Sequence, residues 1–176
     1  MGLLIRSSGI HGEGCYTSSP IRKGTRIVEY TGERISNEEA DKRYDRREIT
    51  YLFGLSDGKH VIDGNGIAAL INHSCEPNCV AEEIRGLVWI VALRHIRGGE
   101  ELTYDYNLYD GEGDVPCHCR ARRCRGSLYS EEEIAKRKKT ERRRRSRSAY
   151  FEQVRRSRGG ERRLLRLARS GSNQRQ

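Results

Sequence analysis

The chain is 176 residues long, 35% hydrophobic and 34% charged, with a formal net charge of +9. This length suits one domain plus an appendage, and the apolar share is lean for a wholly globular chain. No apolar run approaches the roughly 20 residues that a membrane-spanning helix needs.

The charge is unevenly placed. Residues 136–176 hold 17 Lys+Arg against 3 Asp+Glu, a net of +14, which leaves 17 against 22, a net of −5, for residues 1–135. An acidic body joined to a very basic tail takes two kinds of partner, and the pooled charge describes neither.

In chain order, Leu3-Leu4-Ile5 is too short for the apolar core of a secretion signal. Arg6 stands where a myristoylation signal has Ser or Thr. The expected compartment is intracellular and reducing, where six cysteines point to metal binding rather than disulfides. Residues 10–35 read as β structure, with a strand over 26–30 entered through the Lys23-Gly24 turn. Ser36-Asn37-Glu38-Glu39 is a capping-box pattern that opens a short polar helix to about Arg47. Residues 51–55 and 60–62 flank Ser56-Asp57-Gly58 as a hairpin.

The apolar run 67–71 leads into Asn72-His73-Ser74-Cys75-Glu76-Pro77-Asn78-Cys79, an octet poor for helix and strand alike. Residues 86–96 form a strand or a pair, ending at the Arg97-Gly98-Gly99 turn. Glu101-Leu102-Thr103-Tyr104-Asp105-Tyr106 follows, with Tyr104 and Tyr106 on one strand face. Ser130-Glu131-Glu132-Glu133 is a second capping box. Its helix runs into the basic clusters at 136–139 and 142–145, whose self-repulsion predicts a tail that is helical or disordered. Leu164, Leu165 and Leu167 could form a short apolar patch on contact with a partner. The body is therefore mainly β with short helices, and the lack of a strand–helix alternation sets aside a doubly wound fold.

Two groups of residues suggest chemistry. Cys117-x-Cys119-x4-Cys124 supplies three thiolates within eight residues, and zinc prefers four tetrahedral ligands, so one more is needed. Gly12-Glu13-Gly14 is a tight turn whose backbone can approach a ligand. Taken alone, the turn needs no ligand, and the two tyrosines are ordinary half-buried strand residues.

Together, the octet, the 101–106 segment, Cys117-His118-Cys119 with Cys124, and His11-Gly12-Glu13-Gly14 resemble a SET-domain protein lysine methyltransferase with a post-SET zinc segment. The motifs stand in that family's order over roughly residues 5–129. The short layout looks like small stand-alone bacterial SET proteins. The resemblance implies the SET fold: small curved sheets, with a knot-like threading that joins the octet to the tyrosine segment. It divides the chain into a SET domain (1–112), a post-SET zinc segment (113–129) and the basic tail (130–176).

The implied activity is transfer of a methyl group from S-adenosylmethionine to a lysine of a basic protein, such as a histone or a DNA-packaging protein. By the same resemblance His11, Gly12, Glu13, Gly14, Asn72 and His73 border the cofactor, Tyr51 closes the site, and His118 reaches the adenine. Tyr106 is the main catalytic residue, and Tyr104 and Tyr51 line the lysine channel. Cys75, not Cys79, completes a structural zinc site with Cys117, Cys119 and Cys124. The location would be cytoplasm or nucleoid in a bacterium, and nucleus or chromosome in a eukaryote or a host. The tail reads as a nucleic-acid contact or a nuclear address. The alternative for the whole chain is a catalytically weak scaffold with a nucleic-acid-binding tail.

Overall fold

The computed structural model describes residues 2–45, 51–109 and 113–170, with side chains as far as residue 151. It divides into two units, residues 1–130 and residues 131–176.

In the first unit β1 (Leu3–Ser7) pairs antiparallel with β2 (Glu13–Thr17). β3 (Arg26–Glu29) leads through Tyr30 to β4 (Gly32–Ser36) and α1 (Asn37–Tyr44). Ser36 caps α1: its Oγ accepts the Glu39 N–H at 3.2 Å. The Glu39 carboxylate does not return to the cap but pairs with Arg43 at 2.9 Å, so half of the expected box forms. The expected extension to Arg47 lies outside the described residues. β5 (Leu52–Gly54) and β6 (His60–Gly64) make the expected hairpin, and the sheet order is β4-β6-β5.

A 3-10 turn over Ile67–Leu70 leads to β7 (Asn72–His73), followed by β8 (Cys79–Ile84), β9 (Leu87–Ala92) and β10 (Thr103–Tyr104). The second three-stranded sheet has the order β3-β9-β8. β1, β7 and β8 are additions to the sequence reading, β7 falling inside the octet expected to form neither helix nor strand. β8 starts on the last residue of the octet, and its exposed Glu82 and Glu83 obscure the apolar period. The core holds Ile71, Ile90, Ile96, Leu102 and Val88, each fully buried. Burial of each such side chain contributes about 1.5–3 kcal/mol.

The pairing that positions the site is the shortest one. β7 and β10 run parallel, with Asn72 beside Thr103 and His73 beside Tyr104. The Ser74 N–H extends the ladder to the Tyr104 carbonyl at 3.1 Å. Two residues per strand cannot hold this register alone, and Asn78 reinforces it. Its buried carboxamide donates to the Glu101 carbonyl at 2.7 Å and accepts the Thr103 N–H at 2.9 Å. Asn78→Ala leaves both backbone groups unpaired in the interior and is expected to cost about 2–4 kcal/mol. Denaturant unfolding reads this directly, and a loss below about 0.5 kcal/mol would show that the clamp is dispensable.

The second unit contains α2 (Glu131–Ser170). The sequence allowed helix or disorder there, and the described residues are helical. The side chains of Leu164, Leu165 and Leu167 lie outside the described set. No helix is long and apolar enough to cross a membrane among the described residues.

Candidate active site

The β1–β2 loop carries His11 and Gly12, and Glu13 opens β2, all three exposed, and Gly12 adopts φ +45°. The buried Asn72 holds this loop from below. Its Nδ2 lies 3.1 Å from the His11 carbonyl, 2.9 Å from the Glu13 carbonyl and 2.9 Å from Glu101 Oε1. Two N–H groups thus serve three acceptors, so the pocket rim is rich in negative partial charge. Glu101 also accepts from Ser8 Oγ at 2.7 Å and from the Tyr16 hydroxyl at 3.0 Å. Gly14 packs against it so closely that an added Cβ would displace the Glu101 carboxylate from these partners.

His73 is 3% exposed and joins the loop side of the site to the tyrosines. Its Nδ1 accepts the Tyr106 N–H at 3.1 Å, so the ring proton sits on Nε2, which faces Cys75 Sγ at 3.4 Å. Burial, with help from Arg125 and against the pull of Asp105, draws its pKa down to about 4 and keeps the ring neutral. β10 stops at Tyr104, so Tyr106 lies beyond the strand. Its N–H goes to His73 instead of a sheet partner, and the chain then turns on Asn107, at φ 52°, whose N–H is accepted by Asp105 Oδ1. The Tyr104 and Tyr106 rings nonetheless come together, with centroids 4.9 Å apart. Phe53 and Tyr30 continue the aromatic wall.

Burial raises the pKa of both phenols, Tyr106 to about 12, where the Tyr51 phenol adds to the rise. The Tyr106 hydroxyl donates to the Ile71 carbonyl at 3.0 Å. The Tyr104 hydroxyl has no hydrogen-bond partner among the described residues. Tyr51 is 41% exposed, and its carbonyl accepts from the Tyr30 hydroxyl at 2.7 Å.

Cys75, Cys117, Cys119 and Cys124 converge on the outer side of His73. Cys75 Sγ lies 3.8 Å from Cys117 Sγ and 3.9 Å from Cys124 Sγ, and the Cys75 N–H points at Cys119 Sγ at 3.4 Å. A tetrahedron of sulfurs about 2.3 Å from a central zinc has edges of about 3.8 Å, so these separations fit a zinc site. His73 Nε2 is also within 4.8 Å of the sulfurs of Cys75, Cys117 and Cys119. With Nδ1 occupied by Tyr106, however, Nε2 carries the proton and serves a sulfur as donor rather than a metal as ligand. Burial works to raise the Cys119 thiol, but the N–H groups of Cys75 and Ala121 and the thiols of Cys117 and Cys124 outweigh it and bring it to about 6. Cys79 is fully buried in the hydrophobic core with Cys15.

An ion pair ties this cluster to the tyrosine segment. Arg125 meets Asp105 with both arms, at 2.6 and 2.5 Å. Arg125 thus also faces the thiols of Cys75 and Cys117, while Arg123 pairs with Glu76 at 3.6 Å. His118, between Cys117 and Cys119, is exposed and makes no hydrogen bond or ion pair among the described residues. Glu101 and Asn78 were given no role by sequence reasoning. Glu101 and Asn78 stand inside the quoted motifs, but their role depends on carbonyls and side chains far away in the chain. A cleft of about 520 Å³ opens beside the site, lined in part by Phe53, Gly54, Asn37, Glu83 and Tyr109.

The fold and site define a small β protein with a tyrosine-walled pocket buttressed by a cysteine cluster. A family model, the SET domain, matches residues 12–107, more than half of the sequence, and the chain belongs to this family. It is 44% identical over 133 residues to "Histone-lysine N-methyltransferase trithorax" of Drosophila virilis, covering 69% of this chain and 3% of that protein. It is 42% identical over 136 residues to human "Histone-lysine N-methyltransferase 2D", covering 70% of this chain and 2% of that one. It is 42% identical over 141 residues to "Histone-lysine N-methyltransferase, H3 lysine-4 specific" of Saccharomyces cerevisiae, covering 72% of this chain and 13% of that one. The chain thus spans a small fraction of the length of these relatives.

Proposed function

We propose that this protein is an S-adenosylmethionine-dependent lysine N-methyltransferase acting on a basic protein, with histones as the favoured class and chromatin as its place of work. The observation that carries the reading is the convergence of Asn72 and His73 with Tyr104 and Tyr106 through the β7–β10 pair. The names of the relatives support the reaction and the substrate class.

When bound, S-adenosylmethionine supplies a sulfonium methyl group. His11, Gly12, Glu13 and Gly14 offer it a backbone rim, Asn72 and His73 a buried floor. The carbonyls of His11 and Glu13 and the Glu101 carboxylate suit its positive charges. The incoming lysine must lose a proton, at a cost of about 4 kcal/mol near pH 7.4. The aromatic wall of Phe53, Tyr104 and Tyr106 disfavours the ammonium form and lowers that cost. Both phenols stay protonated there, so they orient the amine rather than take its proton as phenolates. Alignment for in-line transfer supplies much of the remaining acceleration. Cys75, Cys117, Cys119 and Cys124 would hold a structural zinc ion, which takes no part in the transfer. β5 is a sheet edge beside the cleft, and an extended basic peptide can add to it as a strand.

Calorimetry with the cofactor and methyl incorporation into histones test this reading. Cofactor binding without any incorporation would favour the scaffold alternative. Product number is set at Tyr104, whose hydroxyl, without a hydrogen-bond partner among the described residues, can hold the amine and occupy the space a first methyl needs. The expected product is mainly monomethyl-lysine. Tyr104→Phe should shift products toward di- and trimethyl-lysine with little loss in the first step; processive trimethylation by the unmodified protein, seen by mass spectrometry, would contradict this role.

The basic tail is read as a contact for nucleic-acid phosphates, with affinity falling steeply in salt. Deleting residues 136–176 should spare methylation of a free peptide and weaken action on a nucleic-acid-bound substrate. Equal loss on both would make the tail part of the catalytic body.

A further inference from the structure

We propose that α2 carries a single-stranded nucleic-acid platform, built from Arg143, Arg144 and Arg147 together with the aromatic pair Tyr150 and Phe151. This inference rests on the reading of the tail as a phosphate contact and adds which form of nucleic acid it takes.

Residues 136–151 contain nine Lys or Arg and one acid, Glu141. Lys136 and Arg137 pair with Glu133, and Arg145 pairs with Glu141. Lys138, Lys139, Arg142, Arg143 and Arg144 make no ion pair among the described residues. Four consecutive arginines at 142–145, about 100° apart around a helix, point to every side. Such a surface has no apolar stripe to bury in a protein core, and its charge calls for a polyanion.

Two large side chains break this pattern. Tyr150 is 64% exposed and Phe151 is 53% exposed. Their rings meet edge to face, with centroids 6.0 Å apart at 70°. Arg147 lies over the Phe151 ring, 5.7 Å from its centroid. Spacings of three and four residues put Arg143 or Arg144, then Arg147, then Tyr150 or Phe151 along one face of the helix. Guanidinium groups and aromatic faces so combined match what an unpaired strand offers, a phosphate backbone and open base faces. A duplex hides its base faces in the stack, so exposed rings add nothing to its binding. An acidic peptide satisfies the arginines but has no flat faces for the rings.

The test uses the full chain and three probes: a fluorescent oligouridylate, a DNA duplex of equal length and polyglutamate. The oligouridylate is expected to bind more tightly than the other two at equal salt. Tyr150→Ala with Phe151→Ala should weaken it by roughly tenfold or more, because each stacked base contributes about 1–3 kcal/mol. Duplex affinity should stay within about twofold, and the salt dependence should not change, because no cation is removed. Replacing both residues by Trp should keep the single-strand preference, which separates stacking from any effect on the helix. Equal loss on both nucleic acids, or no loss on the single strand, overturns the platform and leaves the phosphate reading intact. Polyglutamate binding as tight as oligouridylate binding overturns it in favour of an acidic protein partner. No binding to any probe overturns the phosphate reading itself.

Discussion

Tyr106→Phe is expected to lower methyl transfer on the order of 100-fold or more at every step, while cofactor affinity changes by no more than a few-fold. The ring stays packed against Tyr104 and His73, so the wall of the pocket survives. What is lost is the hydroxyl, whose proton is held by the Ile71 carbonyl and whose oxygen is left to accept from the amine under the proposed mechanism. The same geometry fixes a pH dependence. Burial places the Tyr106 phenol near 12, so it does not titrate in the working range. The rate should rise with pH as the substrate amine, with an ordinary pKa of about 10.4, loses its proton. A parallel profile in Tyr106→Phe is expected, at lower rate. A profile in which the wild-type rise disappears in the variant would make Tyr106 the titrating base and contradict the orienting role.

Cys117→Ser is expected to release zinc and to loosen residues 113–130, with a clear drop in cofactor affinity. A structural zinc site contributes on the order of 10 kcal/mol or more of apparent binding energy, which is folding energy for the segment it closes. Here that segment packs against His73 and, through Arg125 and Asp105, against the strand that leads to Tyr106. Cys75→Ser should behave in the same way. Cys79→Ser should retain the metal, because that thiol is buried in the core, where burial pushes it up to about 12. Metal analysis of the purified protein checks all three. Protein free of zinc and fully active would show that the cysteine cluster holds no structural metal.

Much of the site was legible because its residues are rare in combination. Asn72, His73 and Cys75 in one short turn, two tyrosines spaced by one residue, and three cysteines within eight positions stand out in any reading. The strand over 26–29, the α1 start at Ser36 and the hairpin turn at Gly58 were legible from cap and turn chemistry. What stayed hidden depends on partners far away in the chain. Asn78 looks like one more turn residue until its carboxamide is seen bridging Glu101 and Thr103. Glu101 looks like a surface acid until Ser8, Tyr16 and Asn72 are found around it. The two tyrosines were expected on one continuous strand. Instead the strand ends at Tyr104, and His73 takes over the hydrogen bond that a sheet neighbour would have made. His118 carried a cofactor expectation from its place between two cysteines, and its side chain is exposed.

Methyl transfer to lysine is the activity proposed for this pocket. It is tested most directly by mass spectrometry of histones incubated with the full chain and S-adenosylmethionine, beside Tyr106→Phe as control. Mass increments of single methyl groups on defined lysines are expected with the wild type and nearly none with the variant. Histones left unmodified by a protein that binds the cofactor, or methyl groups found on residues other than lysine, would contradict it.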